Sequence, residues 1–153
     1  MKLSFGWKPG AKTIEGEKYI SPIGFGTLPE EFTLKDKFIH PIQTQLHIPS
    51  CVSHAISSLI YYRMTRESSR LFTYYNARLI EGSIGKFVGT TIESGIQSLS
   101  KWGWCDEANW EYNTNKCNIA PSSNLYVEAE QNKITNAKRL PRDLNVLKTA
   151  LCS

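Results

Sequence analysis

A single cysteine, Cys51, follows a short Pro-Ser turn and opens an apolar-periodic segment in the stretch QTQLHIPSCVSHAISS. A thiolate is the reactive form of cysteine, and the free amides and dipole of a helix N-terminus stabilise it. Gln45 lies six residues earlier. Its side-chain amide can donate to a developing oxyanion together with the backbone N–H of the cysteine. These residue types suggest acyl transfer, although structural cysteines also begin helices and glutamines are common in exposed loops.

A nucleophilic cysteine of this kind needs a histidine to accept its proton. The three histidines, His40, His47 and His54, all lie close to Cys51 in the sequence. His54 is three residues further along the predicted helix, so its side chain shares a face with the cysteine. His47 belongs to the preceding loop. We expect all three to be solvated or to form caps, which leaves the sequence without an evident proton acceptor.

Three amphipathic helices are predicted to position these residues. They cover Cys51 to about Arg63, about Ser69 to Glu81, and about Thr91 to Lys101. Their apolar faces contain, in order, Val52, Ala55, Ile56 and Leu59; Leu71, Tyr74, Tyr75, Arg78 and Leu79; and Ile92, Ile96 and Leu99. Ser50 is a suitable N-cap for the first helix. Gly82 and Gly103 are the stop signals of the second and third.

The remaining chain has weaker periodicity. Residues 104–123 are predicted to form loops anchored by aromatic side chains, and a short strand is expected near Ile134. The segment LPRDLNVLKTAL predicts a helix with Pro141 in its first turn, still running at Ser153. This organisation gives an irregular N-terminal segment over 1–42 that wraps the domain, a helical domain over 43–123, and a strand and helix over 124–153.

The segment HPIQTQLHIPSCVSHA resembles the active-site segment of papain-like cysteine peptidases, where Pro-Val-x-x-Gln precedes a Gly-Ser-Cys that ends six residues past the glutamine. Pro41, Ile42, Gln45, Ser50 and Cys51 fall on the matching positions. Three other segments resemble further blocks of this family: FGWKPG, LPEEFTLKDKF and SSRLFTYYNARLIEG. GTTIESGIQSLSKWGWCDEANWEYN is similar to the block in which Gly89 and Thr90 fall where the family's backbone binds the P2 and P3 substrate residues.

The resemblance implies an α+β, papain-like fold, mainly the helical left domain with the beginning of the β right domain. The histidine and asparagine of such peptidases lie roughly 130–150 residues after the cysteine, beyond Ser153. We therefore expect the β half to be incomplete and a second chain to be one source of the missing residues. Pro49 and Leu46 replace glycines of the family pattern, and we expect them to crowd the cleft.

Three functions are compatible with these residues. The first is a thiol peptidase that hydrolyses peptide bonds through a Cys51 thioester, inactive as this chain because the His/Asn half is absent. The second is a non-catalytic papain-fold protein that binds peptides or acts as a scaffold. The third, a different cysteine amidohydrolase such as a cell-wall peptidase, explains less, because it also needs a histidine on a later strand.

The composition and charge pattern limit the kinds of binding partner and cofactor that we expect. The formal charge of +4 comes from scattered residues with no run of one sign, so we expect neither a nucleic acid nor a membrane as partner. The four cysteines contain no C-x-x-C pair, so we expect no metal site and no other cofactor. No signal peptide or transmembrane segment is evident. We expect a cytoplasmic or other reducing compartment and a peptide or protein substrate.

Overall fold

The computed structural model describes residues 7–10, 28–37 and 40–152. The chain divides into two compact units, one formed by residues 1–11 and 40–135 and the other by 12–39 and 136–153. Most of the irregular segment expected over 1–42 lies outside the described residues. None of the described helices is long and apolar enough to cross a lipid bilayer.

Within the described ranges the regular structure is helical. The α-helices are α1 (Cys51–Met64), α2 (Arg70–Ile80), α3 (Ile92–Lys101), α4 (Ser123–Glu130) and α5 (Leu144–Cys152), with 3₁₀ turns at Lys35–Lys37 and Thr114–Lys116. In this part of the chain, pairing of the β type is limited to isolated bridges, such as Trp7 with Thr90 and Ser68 with Asp106. The first three helices confirm the predicted ones to within a residue or so. The β part of the expected α+β fold is not seen in the described residues.

The core of the first unit forms where α1, α2 and α3 pack together. Val52 and Ile56 of α1 are buried, and α3 meets them through small side chains. A Cβ on Gly95 would lie 2.6 Å from Ile56 Cδ1 and 3.1 Å from Val52 Cγ1. The glycine therefore brings the beginning of α3 against the beginning of α1. The expected apolar face of α3 is partly wrong, because Ile92 is 50% exposed while Gly95 and its serine neighbours are buried.

Local capping explains where α2 and α3 begin. Ser69 Oγ accepts a hydrogen bond from the Phe72 amide at 3.1 Å, and Thr91 Oγ1 accepts one from the Ser94 amide at 3.0 Å. Gly82 and Gly103 follow these two helices with positive φ, as predicted. The expected N-cap of α1 is wrong, because the Ser50 side chain makes no capping hydrogen bond. A tertiary partner takes its hydroxyl instead.

The region after residue 122 departs from the prediction. Helix α4 was not anticipated; it buries only Leu125 and Ala129, which is too little apolar periodicity to recognise. The strand near Ile134 is wrong. Ile134 instead packs against the buried apolar cluster that contains Val52 and Ile56 of α1 (the α1 cluster), and its amide donates a hydrogen bond to the Leu99 carbonyl at 3.4 Å. In the second unit, α5 begins only at Leu144, after Asp143 accepts the next free amides.

Candidate active site

Cys51 is the first residue of α1 and its side chain is half-buried. It contacts the edge of the core cluster that contains Val52 and Ile56. Because the Ser50 hydroxyl does not cap the helix, no side chain from that position competes for the first-turn amides. Free amides and the positive end of the helix dipole stabilise an anion at this point. The placement therefore suits a thiolate nucleophile.

The loop before the cysteine passes from the surface into the core. Leu46 and His47 are exposed, whereas Ile48, Pro49 and Ser50 are buried. The ring of Pro49 is thus part of the packed base of the loop and does not project from its surface. Leu46 has a φ of 53°, a left-handed conformation that a glycine adopts freely and a residue with a Cβ does not. A leucine at position 46, where the family pattern has glycine, therefore costs conformational free energy.

A hydrogen-bond network ties this loop to a distant aromatic residue. The Tyr112 hydroxyl lies 2.8 Å from the Gln45 backbone oxygen and 2.6 Å from Ser50 Oγ. One side chain thus joins the residue directly before the cysteine to the main chain of the candidate oxyanion donor. The Gln45 side-chain amide makes no hydrogen bond within the described part of the chain, so its donors are available to a ligand.

The ring nitrogens of His54 contact the same loop, at Ser50 and Thr44. Its Nδ1 lies 3.0 Å from the Ser50 carbonyl oxygen and 3.3 Å from Ser50 Oγ, and its Nε2 lies 3.3 Å from the Thr44 carbonyl oxygen. Burial lowers the pKa of His54 below its ordinary value of 6.5, although the backbone hydrogen bond with Ser50 acts in the opposite direction. Both ring nitrogens therefore face backbone carbonyls, and the ring packs edge-on against Tyr112 at 4.9 Å between centroids.

The other two histidines lie in contrasting environments. His47 is exposed, as expected. His40 is not solvated: it is 7% exposed, stacks on Tyr61 at 4.4 Å, and places Nε2 3.5 Å from a Glu67 carboxylate oxygen. Tyr61 belongs to the third turn of α1, so His40 lies away from the cysteine end of that helix.

Gly89 and Thr90 are buried and lead directly into α3. The Thr90 carbonyl accepts the Lys8 amide at 3.0 Å, and Thr90 pairs with Trp7 in a parallel bridge. Lys8 also forms a 2.9 Å ion pair with Glu81. The backbone at Thr90 therefore binds an extended segment in this structure, here residues 7 and 8 of the same chain.

Tyr112 is the site residue whose role the sequence did not reveal. We predicted it only as an aromatic anchor of a loop. Its hydroxyl meets Gln45 across 67 residues of chain, and no local pattern encodes a contact of that range. The described residues contain no group of three or more His, Cys, Asp or Glu side chains that could hold a metal ion.

Comparison with known proteins finds similarity to a peptidase-like protein and to a cysteine protease. No protein-family model matches the sequence. An uncharacterized peptidase C1-like protein of Acanthamoeba polyphaga mimivirus is 36% identical over 98 residues, which cover 60% of this chain and 32% of that protein. The crystal structure of xylellain, a cysteine protease from Xylella fastidiosa, superposes with a TM-score of 0.87 at 29% identity, covering 97% of this chain and 63% of xylellain.

These similarities support a relationship to the papain-like cysteine peptidases. The chain spans about a third of the viral protein and under two thirds of xylellain. It therefore corresponds to a part of each of these proteins.

Proposed function

We propose that this chain carries the nucleophile side of a papain-like cysteine peptidase, with peptide or protein substrates. Cys51 is the nucleophile, and Gln45 and the Cys51 amide bind the oxyanion. Gly89 and Thr90 bind the substrate backbone. The observation that carries the proposal is the position of Cys51 at the start of α1 within a fold that matches a cysteine protease over 97% of the chain.

The chemistry assigned to Cys51 is acyl transfer through a thioester. The thiolate sulfur bonds to the peptide carbonyl carbon, and the carbonyl π electrons move onto oxygen, where the two N–H donors hold the charge. Collapse of this intermediate expels the amine, which takes up the proton that the thiol had lost to a base. Water then cleaves the thioester and releases the acid.

We infer that the base of this scheme lies outside the described residues. His54 has both ring nitrogens on backbone carbonyls, and His40 lies beside Glu67. We therefore expect the base to come from another chain or from sequence beyond this one. This chain by itself should hydrolyse peptides little or not at all.

The test combines turnover with labelling. A fluorogenic peptide substrate should not be cleaved by the chain alone, and an epoxide-type thiol-protease inhibitor should modify Cys51 poorly near neutral pH. Stoichiometric epoxide labelling of Cys51 that Gln45→Ala abolishes would mean that the chain needs no further base. Cleavage that survives Cys51→Ser would contradict the assignment of the nucleophile.

A second function, peptide binding without catalysis, is favoured by two observations. Leu46 is 58% exposed in a left-handed conformation next to Gln45, and two of the three histidines, His40 and His54, contact groups other than the thiol. Isothermal titration with peptides tests the second function, since a binding module binds peptides and keeps its affinity in the Cys51→Ser variant, whereas the absence of binding in both proteins contradicts it.

A further inference from the structure

The hydrogen bonds around Tyr112 have a single direction. A backbone carbonyl only accepts, so the Tyr112 hydroxyl donates its proton to the Gln45 oxygen, 2.8 Å away. The Tyr112 oxygen then accepts from Ser50 Oγ at 2.6 Å. Ser50 Oγ in turn accepts from His54 Nδ1–H, which also lies 3.0 Å from the Ser50 carbonyl oxygen. The chain of donors therefore runs from His54 through Ser50 and Tyr112 to the main chain of Gln45.

Tyr112 is itself held on several sides. Its amide donates to Glu107 Oε1 at 2.7 Å, and the Arg70 guanidinium lies 4.6 Å from its ring centre. Arg70 and Glu107 form an ion pair at 2.7 Å with 12% and 11% of their side chains exposed. A buried, geometrically fixed pair of this kind makes a rigid support. The hydroxyl thus reaches the loop from a fixed position.

The loop needs such a support. Leu46 directly follows Gln45 and occupies the left-handed region, which is disfavoured for a side chain with a Cβ. Strained residues persist when their surroundings over-determine them. The Leu46 amide bonds only to Thr44 Oγ1 within its own loop, at 3.2 Å. The Tyr112–Gln45 bond connects this strained stretch to the helical core.

We propose that Tyr112 is a positioning residue for the oxyanion-binding amide of Gln45, with Ser50 and His54 fixing the direction in which its hydroxyl donates. The proposal rests on the proposed function of Gln45. Tyr112 touches no reacting atom and acts only by holding the main chain from which the Gln45 amide extends.

The variant that tests this role is Tyr112→Phe, and the chain offers a matched control. Tyr126 also donates its hydroxyl to a single acceptor, Asn76 Oδ1, at 2.8 Å and is half-buried. Tyr126→Phe therefore removes an equivalent hydrogen bond away from the loop. Ser50→Ala serves as a second variant, because it removes the bond between Ser50 and Tyr112 but keeps the Tyr112–Gln45 bond.

The first readout is amide hydrogen exchange, measured by mass spectrometry. Tyr112→Phe should raise exchange over residues 43–50 by about five- to tenfold, the effect of losing one hydrogen bond, while α2 stays protected. Ser50→Ala should raise it less, and Tyr126→Phe should leave it at the wild-type rate. Equal exchange over 43–50 in the two phenylalanine variants would overturn the proposal.

The second readout separates the oxyanion from the thiol. Acetyl-Phe-glycinal adds the Cys51 S–H across its aldehyde, forming an S–C bond and placing the proton on the former carbonyl oxygen. Iodoacetamide alkylates the same sulfur and releases iodide without forming an oxyanion. Tyr112→Phe should raise the aldehyde concentration that half-protects Cys51 by about five- to tenfold and leave the alkylation rate unchanged.

These outcomes distinguish two failures. If the aldehyde protects Cys51 in the wild type but Tyr112→Phe behaves as Tyr126→Phe does, the positioning role is wrong and the proposed function stands. If the aldehyde protects no cysteine, or protects Cys51 equally well in Gln45→Ala, the proposed function is wrong. The exchange experiment then still decides whether Tyr112 holds the loop.

Discussion

Gly103 ends α3 and begins the loop that carries Glu107 and Tyr112, so its backbone conformation helps to set the geometry of the candidate site. Its φ is +81°, and a Cβ there would overlap the Ala129 carbonyl oxygen and lie 2.7 Å from the carbonyl carbon. Gly85 has the same φ of +81° with no atom within 4 Å of its Cβ position. The two glycines therefore form a matched pair that separates backbone conformation from steric overlap.

Gly85→Ala should lower the free energy of unfolding by about 1 kcal/mol, since the left-handed region costs roughly 1–2 kcal/mol and a less flexible unfolded chain returns part of it. Gly103→Ala bears the same cost and must also displace the backbone of α4. A loss above about 4 kcal/mol is expected, because a backbone carbonyl cannot rotate aside as a side chain can.

Urea unfolding followed by tryptophan fluorescence measures this difference, because Trp104 is 4% exposed in the core of the first unit. With a slope of about 2 kcal/mol per molar urea, Gly85→Ala should shift the midpoint by about 0.5 M and Gly103→Ala by about 2 M or more. Equal shifts in the two variants would refute the close packing of Gly103 on Ala129.

Three further predictions concern the loop and the core. Leu46→Gly should be more stable than Leu46→Ala by about 1 kcal/mol in urea unfolding, the reverse of the usual order, because only glycine relieves the positive φ. The pKa of His54 in the folded chain lies below 6.5. Between the folded and the unfolded pKa the unfolded chain binds more protons, so stability should fall as the pH drops through 6.5. His54→Gln should remove this dependence of the free energy of unfolding on pH. Desolvation raises the pKa of Glu81, but hydrogen bonds from Thr91, Ser94 and Lys8 outweigh it and lower that pKa, so Glu81 affects stability only below about pH 4.5. Arg78 donates to Asn118, Lys86 and Cys117 and stacks on Tyr74, so Arg78→Lys should cost about 2–4 kcal/mol; the control Arg66→Lys, at a 48% exposed ion pair, should cost less than about 1 kcal/mol.

The first two helices could be predicted closely from the sequence because their signals are local. Apolar side chains at helical spacing fixed the extent of α1, and Ser69 and Gly82 marked the ends of α2. The bounds of α3 were also predicted, but the predicted apolar faces of α1 and α3 were partly wrong, because Leu59 is 62% exposed and Ile92 is 50% exposed. Gly95 permits a close approach to Val52 and Ile56, and a pattern of large apolar residues does not reveal that kind of packing.

The parts that could not be predicted depend on tertiary contacts. Ser50 has the residue type of an N-cap, yet its hydroxyl bonds to Tyr112. Ile134 has the β-branched character of a strand, yet no strand forms around it because the α1 cluster and the Leu99 carbonyl satisfy it. The same limit applies at the candidate site. Cys51 and Gln45 could be proposed from spacing and resemblance, whereas the hydrogen bond from Tyr112 to the Gln45 backbone oxygen forms only in the folded chain.

We propose that Cys51 lies in a site that accepts a peptide carbonyl, and the chain contains its own control. Cys152 is exposed, whereas Cys51 is half-buried and Cys105 is buried. Each cysteine can be followed by mass spectrometry while iodoacetamide alkylates the protein with and without acetyl-Phe-glycinal. We predict that the aldehyde protects Cys51 and leaves Cys152 alkylated at its original rate. Equal protection of both cysteines, or of neither, would show that Cys51 does not lie in such a site.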